Sequence, residues 1–186
     1  LALRYLWWRV TQTIAPIGLT YDFFASWLLL GIEILSIISS LSAFLILTRV
    51  KHRGSDVEAQ MNWWRPNDPP RVAILIATYN EEIEILERTI IGAKALNYPN
   101  SEVLVLDDGR RDWLKKYCIK KGVRYLTRAD NQGYKAGNMN HALDVLSQDL
   151  IQPDFIAVLD ADFVPHRGFI SRALALFSNP TIGLVQ

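Results

Sequence analysis

The chain is expected to fold as an α/β protein, a mainly parallel sheet with flanking helices, preceded by a transmembrane helix. Three observations point there. From Arg71 onward, short apolar runs alternate with stretches of helical periodicity. Residues 23–48, FFASWLLLGIEILSIISSLSAFLILT, form 26 residues with one charge. Charge is also split along the chain: of 20 basic and 19 acidic residues, only Arg4, Arg9, Asp22, Glu33 and Arg49 fall in residues 1–50. A net charge of +1 argues against a nucleic-acid partner, which usually calls for a basic excess. The single cysteine, Cys118, excludes a disulfide framework and a multi-cysteine metal site.

The N-terminal part divides in three. Residues 1–20 include RYLWWR, whose aromatic and arginine content suits either a membrane–water interface or the end of a preceding membrane helix. The first residue is Leu1, so the natural protein is expected to begin upstream. Residues 21–50 hold the spanning helix. At about 1.5 Å per residue the apolar run exceeds a hydrocarbon core of roughly 30 Å. Glu33 lies near its middle, where a carboxylate is costly. A hydrogen bond to a further membrane helix is the expectation, with a functional role the alternative. Residues 51–70 are polar, carry Pro66, Pro69 and Pro70, and are expected to be a linker. Arg49, Lys51, His52, Arg53, Arg65 and Arg71 outnumber the basic residues before the helix, which favours a cytoplasmic C-terminal side.

Residues 71–186 supply the sheet. VAILIAT (72–78), EVLVLD (102–107), VRYL (123–126), DFIAVLD (154–160) and IGLVQ (182–186) are the expected strands. Helices are expected near 82–96, 112–120, 136–147 and 168–178. Nearly continuous apolar strands separated by helices mean a parallel sheet covered on both faces. Ile83, Leu86, Ile90 and Ala93 give the first of these helices its buried stripe.

Ligands of open parallel sheets bind beyond the carboxyl ends of the strands. The residues found there are Thr78-Tyr79-Asn80-Glu81, Asp107-Asp108-Gly109 and Asp160-Ala161-Asp162, with Lys135-Ala136-Gly137-Asn138 at a helix start. Asp160 and Asp162 flank one residue and can point the same way. Their mutual repulsion is relieved by a cation, and an all-oxygen ligand set suits Mg²⁺ or Mn²⁺. Asp107 and Asp108 can accept hydrogen bonds from a nucleobase or a ribose, or support the turn at Gly109. Lys135 beside free backbone N–H groups makes an anion site. Thr78 and Tyr79 can meet a nucleotide by hydroxyl or by stacking. His141 and Cys118 lack partners in sequence and are expected to be structural. No G-x-x-x-x-G-K-[ST] loop, G-x-G-x-x-G turn, G-x-S-x-G elbow or paired histidine motif occurs.

The series TYNE (78–81), LDDG (106–109), NQGYKAGNMNHAL (131–143) and LDADFVP (159–165) resembles the processive family 2 glycosyltransferases. RYLWWRVTQT (4–13), followed by a membrane helix with Glu33, resembles the same family, so the likeness covers nearly the whole chain. The resemblance implies a GT-A domain, here its nucleotide-sugar-binding part, on the cytoplasmic face of the inner (plasma) membrane in a multi-pass protein. It implies an inverting transfer of glucose from UDP-glucose to a growing β-glucan such as cellulose. By the same resemblance Asp107 helps hold the nucleotide, Lys135 contacts the diphosphate, Asp160 and Asp162 hold a Mg²⁺ or Mn²⁺ diphosphate, and Asp107, Asp160 and Asp162 serve catalysis. Thr78 and Tyr79 line the uridine site, with Glu81, Asp108 and Asn138 counted among the substrate-binding residues. The implied partners are the UDP-sugar donor, a polysaccharide acceptor, the lipid bilayer and further synthase subunits. Phe163 stands where the family often has histidine, and Tyr134 where it often has alanine; curdlan, chitin and hyaluronan synthases therefore stay open as alternatives. The family's T-E-D motif, source of the general base, and its Q-x-x-R-W motif are expected after Gln186, so residues 1–186 alone are expected to be inactive. A receiver-like signalling domain also uses acidic residues and a lysine, but there the lysine follows the acceptor aspartate, whereas Lys135 precedes Asp160.

Overall fold

The computed structural model describes residues 1–49, 52–65 and 67–186. Lys51 of the basic cluster and Pro66 of the expected linker lie outside the described residues. The chain forms two compact units, Leu1–His52 and Arg53–Gln186.

In the first unit, helix α1 (Ala2–Trp8) runs into a π-helical turn, Arg9–Thr13. Helix α2 (Tyr21–Leu47) follows, with the Thr20 hydroxyl accepting from the Phe23 N–H at its start. Asp22 in the first turn complements the helix dipole. This helix is long and apolar enough to cross a membrane. Glu33, halfway along it, pairs with a residue of the preceding helical segment: Arg9 Nε donates to Glu33 Oε2 at 3.1 Å. A second nitrogen of the same guanidinium donates to the Thr13 hydroxyl at 2.7 Å. An apolar medium makes such a pair worth forming, because each charge alone is expensive there.

The second unit has the expected α/β class. Strands β1 (Val72–Thr78), β2 (Ser101–Asp107), β3 (Arg124–Leu126) and β4 (Phe155–Asp160) form one parallel sheet in the order β3-β2-β1-β4. Helices α4 (Ile83–Lys94), α5 (Asp112–Lys121), α6 (Tyr134–Ser147) and α7 (Phe169–Leu176) connect or follow the strands. All of these lie within two residues of their expected bounds.

The central position of β1 explains its uninterrupted apolar sequence. Val72, Ile74 and Ile76 enter a core with Leu86 and Ile90 of α4, Leu114 and Cys118 of α5, and Ile170 and Leu174 of α7. Ala73 and Leu75 face the other way, onto Ala142 and Leu146 of α6. Gly122 closes α5 in the left-handed region, φ +64°, which a glycine adopts without strain.

Two expectations differ. Helix α3 (Gly54–Gln60) lies in the segment expected to be a linker and packs on α7. It buries only Val57, so it shows no apolar period in sequence. The following tryptophans are moored: Trp63 Nε1 donates to the Leu174 carbonyl at 2.7 Å, and Trp64 meets Tyr98 edge to face at 5.9 Å. Residues 182–186 form no strand. An apolar run becomes a strand only where a neighbour completes its hydrogen bonds, and Ile182–Gln186 pair with no strand here.

Cys118 is fully buried, and burial, with the nearby Asp107 charge, pushes its thiol up to about 11. The thiolate is the reactive form. Iodoacetamide at mildly alkaline pH is therefore expected to leave Cys118 unmodified in the native protein and to alkylate it after denaturation. Equal rates in both states would contradict the burial.

Candidate active site

The parallel register sets the carboxyl ends of three strands side by side. Thr78 pairs with Asp107 and Ala77 with Asp160. A cleft of about 290 Å³ opens at this end, lined by Ala77, Thr78, Tyr79, Glu81, Asp108, Asn131, Tyr134, Lys135 and Asn138.

Its first wall is the turn after β1. The Glu81 carboxylate accepts from the Thr78 hydroxyl and from the Tyr79 N–H, the latter at 2.8 Å. Burial alone would raise the Glu81 pKa, but these hydrogen bonds and Arg111 outweigh it and hold the carboxyl below its ordinary value. The group therefore stabilises the turn at neutral pH, and that contribution drains away only as pH falls through the lowered pKa.

The two aspartates after β2 have different surroundings. Asp107 is fully buried and lies beneath the cleft. Its carboxylate accepts from the Gly109 N–H at 2.9 Å, the Arg111 N–H at 2.7 Å, Arg111 Nε at 3.0 Å and the Tyr125 hydroxyl at 2.8 Å. Arg111 then donates to the Glu81 carbonyl and to the Thr78 hydroxyl, both at 2.7 Å. Burial, then the bond to Asp107, push the Tyr125 hydroxyl well up. With these acceptor positions engaged, Asp107 holds this end of the sheet from beneath the cleft. Asp108 stands at the cleft wall instead, gripped by Arg128 through two contacts of 2.7 Å. Gly109 is required directly after them: a Cβ there would lie 2.3 Å from the Tyr79 carbonyl oxygen.

The opposite wall is the start of α6. Arg128 also donates to the Tyr134 carbonyl at 2.9 Å, so one guanidinium joins Asp108 to the loop before the helix. Gly133 and Tyr134 both take positive φ, +71° and +49°. A Cβ on Gly137 would lie 2.0 Å from the Gln132 carbonyl oxygen, so the loop folds back tightly onto the first helical turn. Asn138 is buried. Its Nδ2 donates to the Leu106 carbonyl at 2.9 Å, and its Oδ1 has no partner among the described residues.

Lys135 forms an ion pair with Asp160 at the end of β4. Asp160 lines a second, wider cleft with Phe163, His166 and Arg172. Asp162 is exposed. Among the described residues no group of three or more His, Cys, Asp or Glu side chains gathers as a ready cation cage. The Asp160–Asp162 pair fits a hard divalent cation that draws its other ligands from a phosphate and water. That Asp160 already attracts an ammonium fits the same preference.

The structure thus brings Thr78, Tyr79, Glu81, Asp108, Lys135 and Asn138 to one cleft, sets Asp160 against Lys135, and keeps Asp107 below. Sequence reasoning passed over Arg111, Arg128 and Tyr125. The four-residue spacing of Asp107 and Arg111 was a visible signal; the contact of Arg128 with Asp108, 20 residues apart, was not.

The Glycosyl transferase family 2 model matches residues 73–186. The cellulose synthase catalytic subunit [UDP-forming] of Xanthomonas axonopodis pv. citri (strain 306) is 35% identical over 98% of this chain and 24% of its own length. That of Pseudomonas fluorescens (strain SBW25) is 35% identical over 100% and 24%. The chain therefore spans about a quarter of the length of these relatives. Among solved structures, a mannosyltransferase from Pyrobaculum calidifontis in complex with GDP-Man and Mn²⁺ covers 68% of this chain and 40% of its own, at 22% identity and a TM-score of 0.53. Glucosyl-3-phosphoglycerate synthase from Mycobacterium tuberculosis, with Mn²⁺, UDP and glucosyl-3-phosphoglycerate, covers 70% and 47%, at 19% identity and a TM-score of 0.51. At these identities the likeness concerns the fold.

Removing one member of a buried ion pair costs about 3–5 kcal/mol. Asp107→Ala is expected to lower thermal stability on that scale, by stranding Arg111 and Tyr125. Asp162→Ala, exposed, is expected to leave the melting temperature unchanged. Equal melting temperatures for Asp107→Ala and the parent would contradict the structural role.

Proposed function

Because the chain belongs to glycosyltransferase family 2, we propose that it is the donor-binding part of a membrane-bound inverting transferase, which moves glucose from UDP-glucose to a growing β-glucan such as cellulose on the cytoplasmic side of the plasma membrane. The observation that carries this is the cleft: stacking, hydroxyl and carboxylate groups on one wall, a lysine on the other, and a carboxylate pair for a cation beside it. Family membership removes the receiver-like alternative.

In the proposed arrangement the uracil ring lies by Tyr79, and Thr78 and Asp108 present polar atoms to the base or ribose. Asn138 Oδ1, unpartnered, is an available acceptor at the cleft floor. Lys135 exchanges Asp160 for the donor diphosphate and offsets the charge that grows on it as the glycosidic bond breaks. Asp160 and Asp162 would hold Mg²⁺ or Mn²⁺, which when bound neutralises the leaving diphosphate. Arg128 keeps Asp108 and the Lys135 loop at a set separation. Asp107 acts from beneath, by holding the strand ends. The acceptor hydroxyl attacks the anomeric carbon in line while UDP departs, and its proton needs a base that no residue lining the cleft is assigned to supply.

The membrane setting rests on α2 and on the basic residues after it. The partners proposed are the UDP-sugar, the polysaccharide acceptor, the bilayer and further synthase subunits. Phe163 and Tyr134, which depart from the family's frequent residues, favour keeping a curdlan-, chitin- or hyaluronan-type product as the second reading.

UDP titration tests the proposal. Mn²⁺ is expected to tighten UDP binding, and Asp162→Ala to abolish that tightening. A hydrogen bond to a charged group contributes about 1.5–3 kcal/mol, so Lys135→Ala is expected to weaken UDP about 10–100-fold. UDP binding indifferent to Mn²⁺ and to both substitutions would overturn it.

A further inference from the structure

The residue between the two aspartates is held by helix α4, which packs against it in the core. Ala161 is buried, while Asp160 and Asp162 on either side of it are exposed. Its carbonyl accepts a hydrogen bond of 2.7 Å from the hydroxyl of Thr89, a fully buried residue in the middle of α4. Threonine is a poor helix former and commonly returns its hydroxyl to the preceding turn of its own helix. Here the hydroxyl is spent on a carbonyl distant in sequence.

The contact belongs to a series. One turn along, Gly92 lets the same loop press against α4: a Cβ there would lie 2.8 Å from Val164 Cγ1 and 3.3 Å from Pro165 Cδ. Beyond the helix, the Asn97 N–H donates to the Arg167 carbonyl at 2.8 Å, and Ser171 Oγ donates to the Asn97 carbonyl at 3.1 Å. Residues 161–167 are thus moored along α4 and the turn after it. The Ala161 carbonyl lies in the peptide that joins Ala161 to Asp162. Its orientation sets the direction of the Asp162 side chain relative to Asp160, which the β4 ladder fixes.

We propose that Thr89 is a positioning residue for the divalent cation: through the Ala161 carbonyl it holds the Asp160 and Asp162 carboxylates at the angle that lets them share one ion. This rests on the assignment of Asp160 and Asp162 to a cation made above. Because α4 also begins directly after the Thr78–Glu81 turn, the same helix ties the cation pair to the nucleotide wall.

Groups that orient a ligand from behind typically cost 10–100-fold in metal affinity when removed. Mn²⁺ binding to the full-length protein in the presence of UDP, followed by electron paramagnetic resonance, is the test. UDP affinity in excess EDTA is measured in parallel. Thr89→Val keeps the shape and removes the hydroxyl; it is expected to weaken Mn²⁺ at least about tenfold and leave UDP affinity in EDTA unchanged. Thr89→Ser keeps the hydroxyl and is expected to bind Mn²⁺ as the parent does. Gly92→Ala displaces the loop through Val164 and is expected to weaken Mn²⁺ as Thr89→Val does, so the test survives if one variant fails to fold. Parental Mn²⁺ affinity in Thr89→Val or Gly92→Ala would overturn the proposal, as would an equal loss of UDP affinity in EDTA. If Asp162→Ala itself leaves Mn²⁺ binding intact, it is the cation assignment that fails.

Discussion

The catalytic end of the sheet depends on one buried carboxylate. Asp107 has no exposed surface, and an unpaired charge in that position would be prohibitively costly. It is tolerated because Gly109, Arg111 and Tyr125 complete its hydrogen bonds. Those partners belong to the turn after β2 and to β3, and Arg111 carries the connection on to Thr78 and Glu81 after β1. Three strand ends are thereby drawn to one point. Exposed Tyr79 and buried Asp108 at the cleft wall have defined positions because this carboxylate is itself held fast.

The division of labour between adjacent aspartates follows from where β2 ends. Asp107, its last residue, turns into the core, and Asp108, the first residue of the turn, begins the wall. Arg128 then passes order across the cleft to the Lys135 loop, where Gly133, Tyr134 and Gly137 allow a turn that other residues would resist. At the far end, Thr89 does for Asp160 and Asp162 what Arg111 does for Thr78. Thr78, Asp108 and the Asp160–Asp162 segment are each backed by a polar contact from another element, the arrangement that rigid sites require.

The fold was legible because apolar runs and helical stripes are local properties. VAILIAT reads as a doubly covered strand from its own residues, and the Ile83–Ala93 stripe reads as a helix in the same way. The site was legible as a set of polar clusters at strand ends, since a parallel sheet gathers those ends by topology. What stayed hidden was contact between residues distant in sequence. The spacing of Asp107 and Arg111 hints at a pair, but that Asp107 is the buried aspartate and Asp108 the one at the cleft shows only once Tyr125, Arg111 and Arg128 are placed around them. Helix α3 was invisible because a short helix with one buried residue has no period. Arg9 was read as an interfacial residue, and only the packing of α2 reveals it as the counter-ion of Glu33.

The central claim is that a nucleoside diphosphate occupies the cleft over β1 and β2 with its phosphates between Lys135 and the Asp160–Asp162 pair. The structure of the full-length protein with UDP and Mn²⁺ tests it most directly. The account predicts uridine against Tyr79 and Asp108, Lys135 released from Asp160 onto phosphate, Mn²⁺ on Asp160 and Asp162, and Asp107 still buried beneath. UDP bound elsewhere, or bound there with Asp107 drawn out to contact the base, would contradict it.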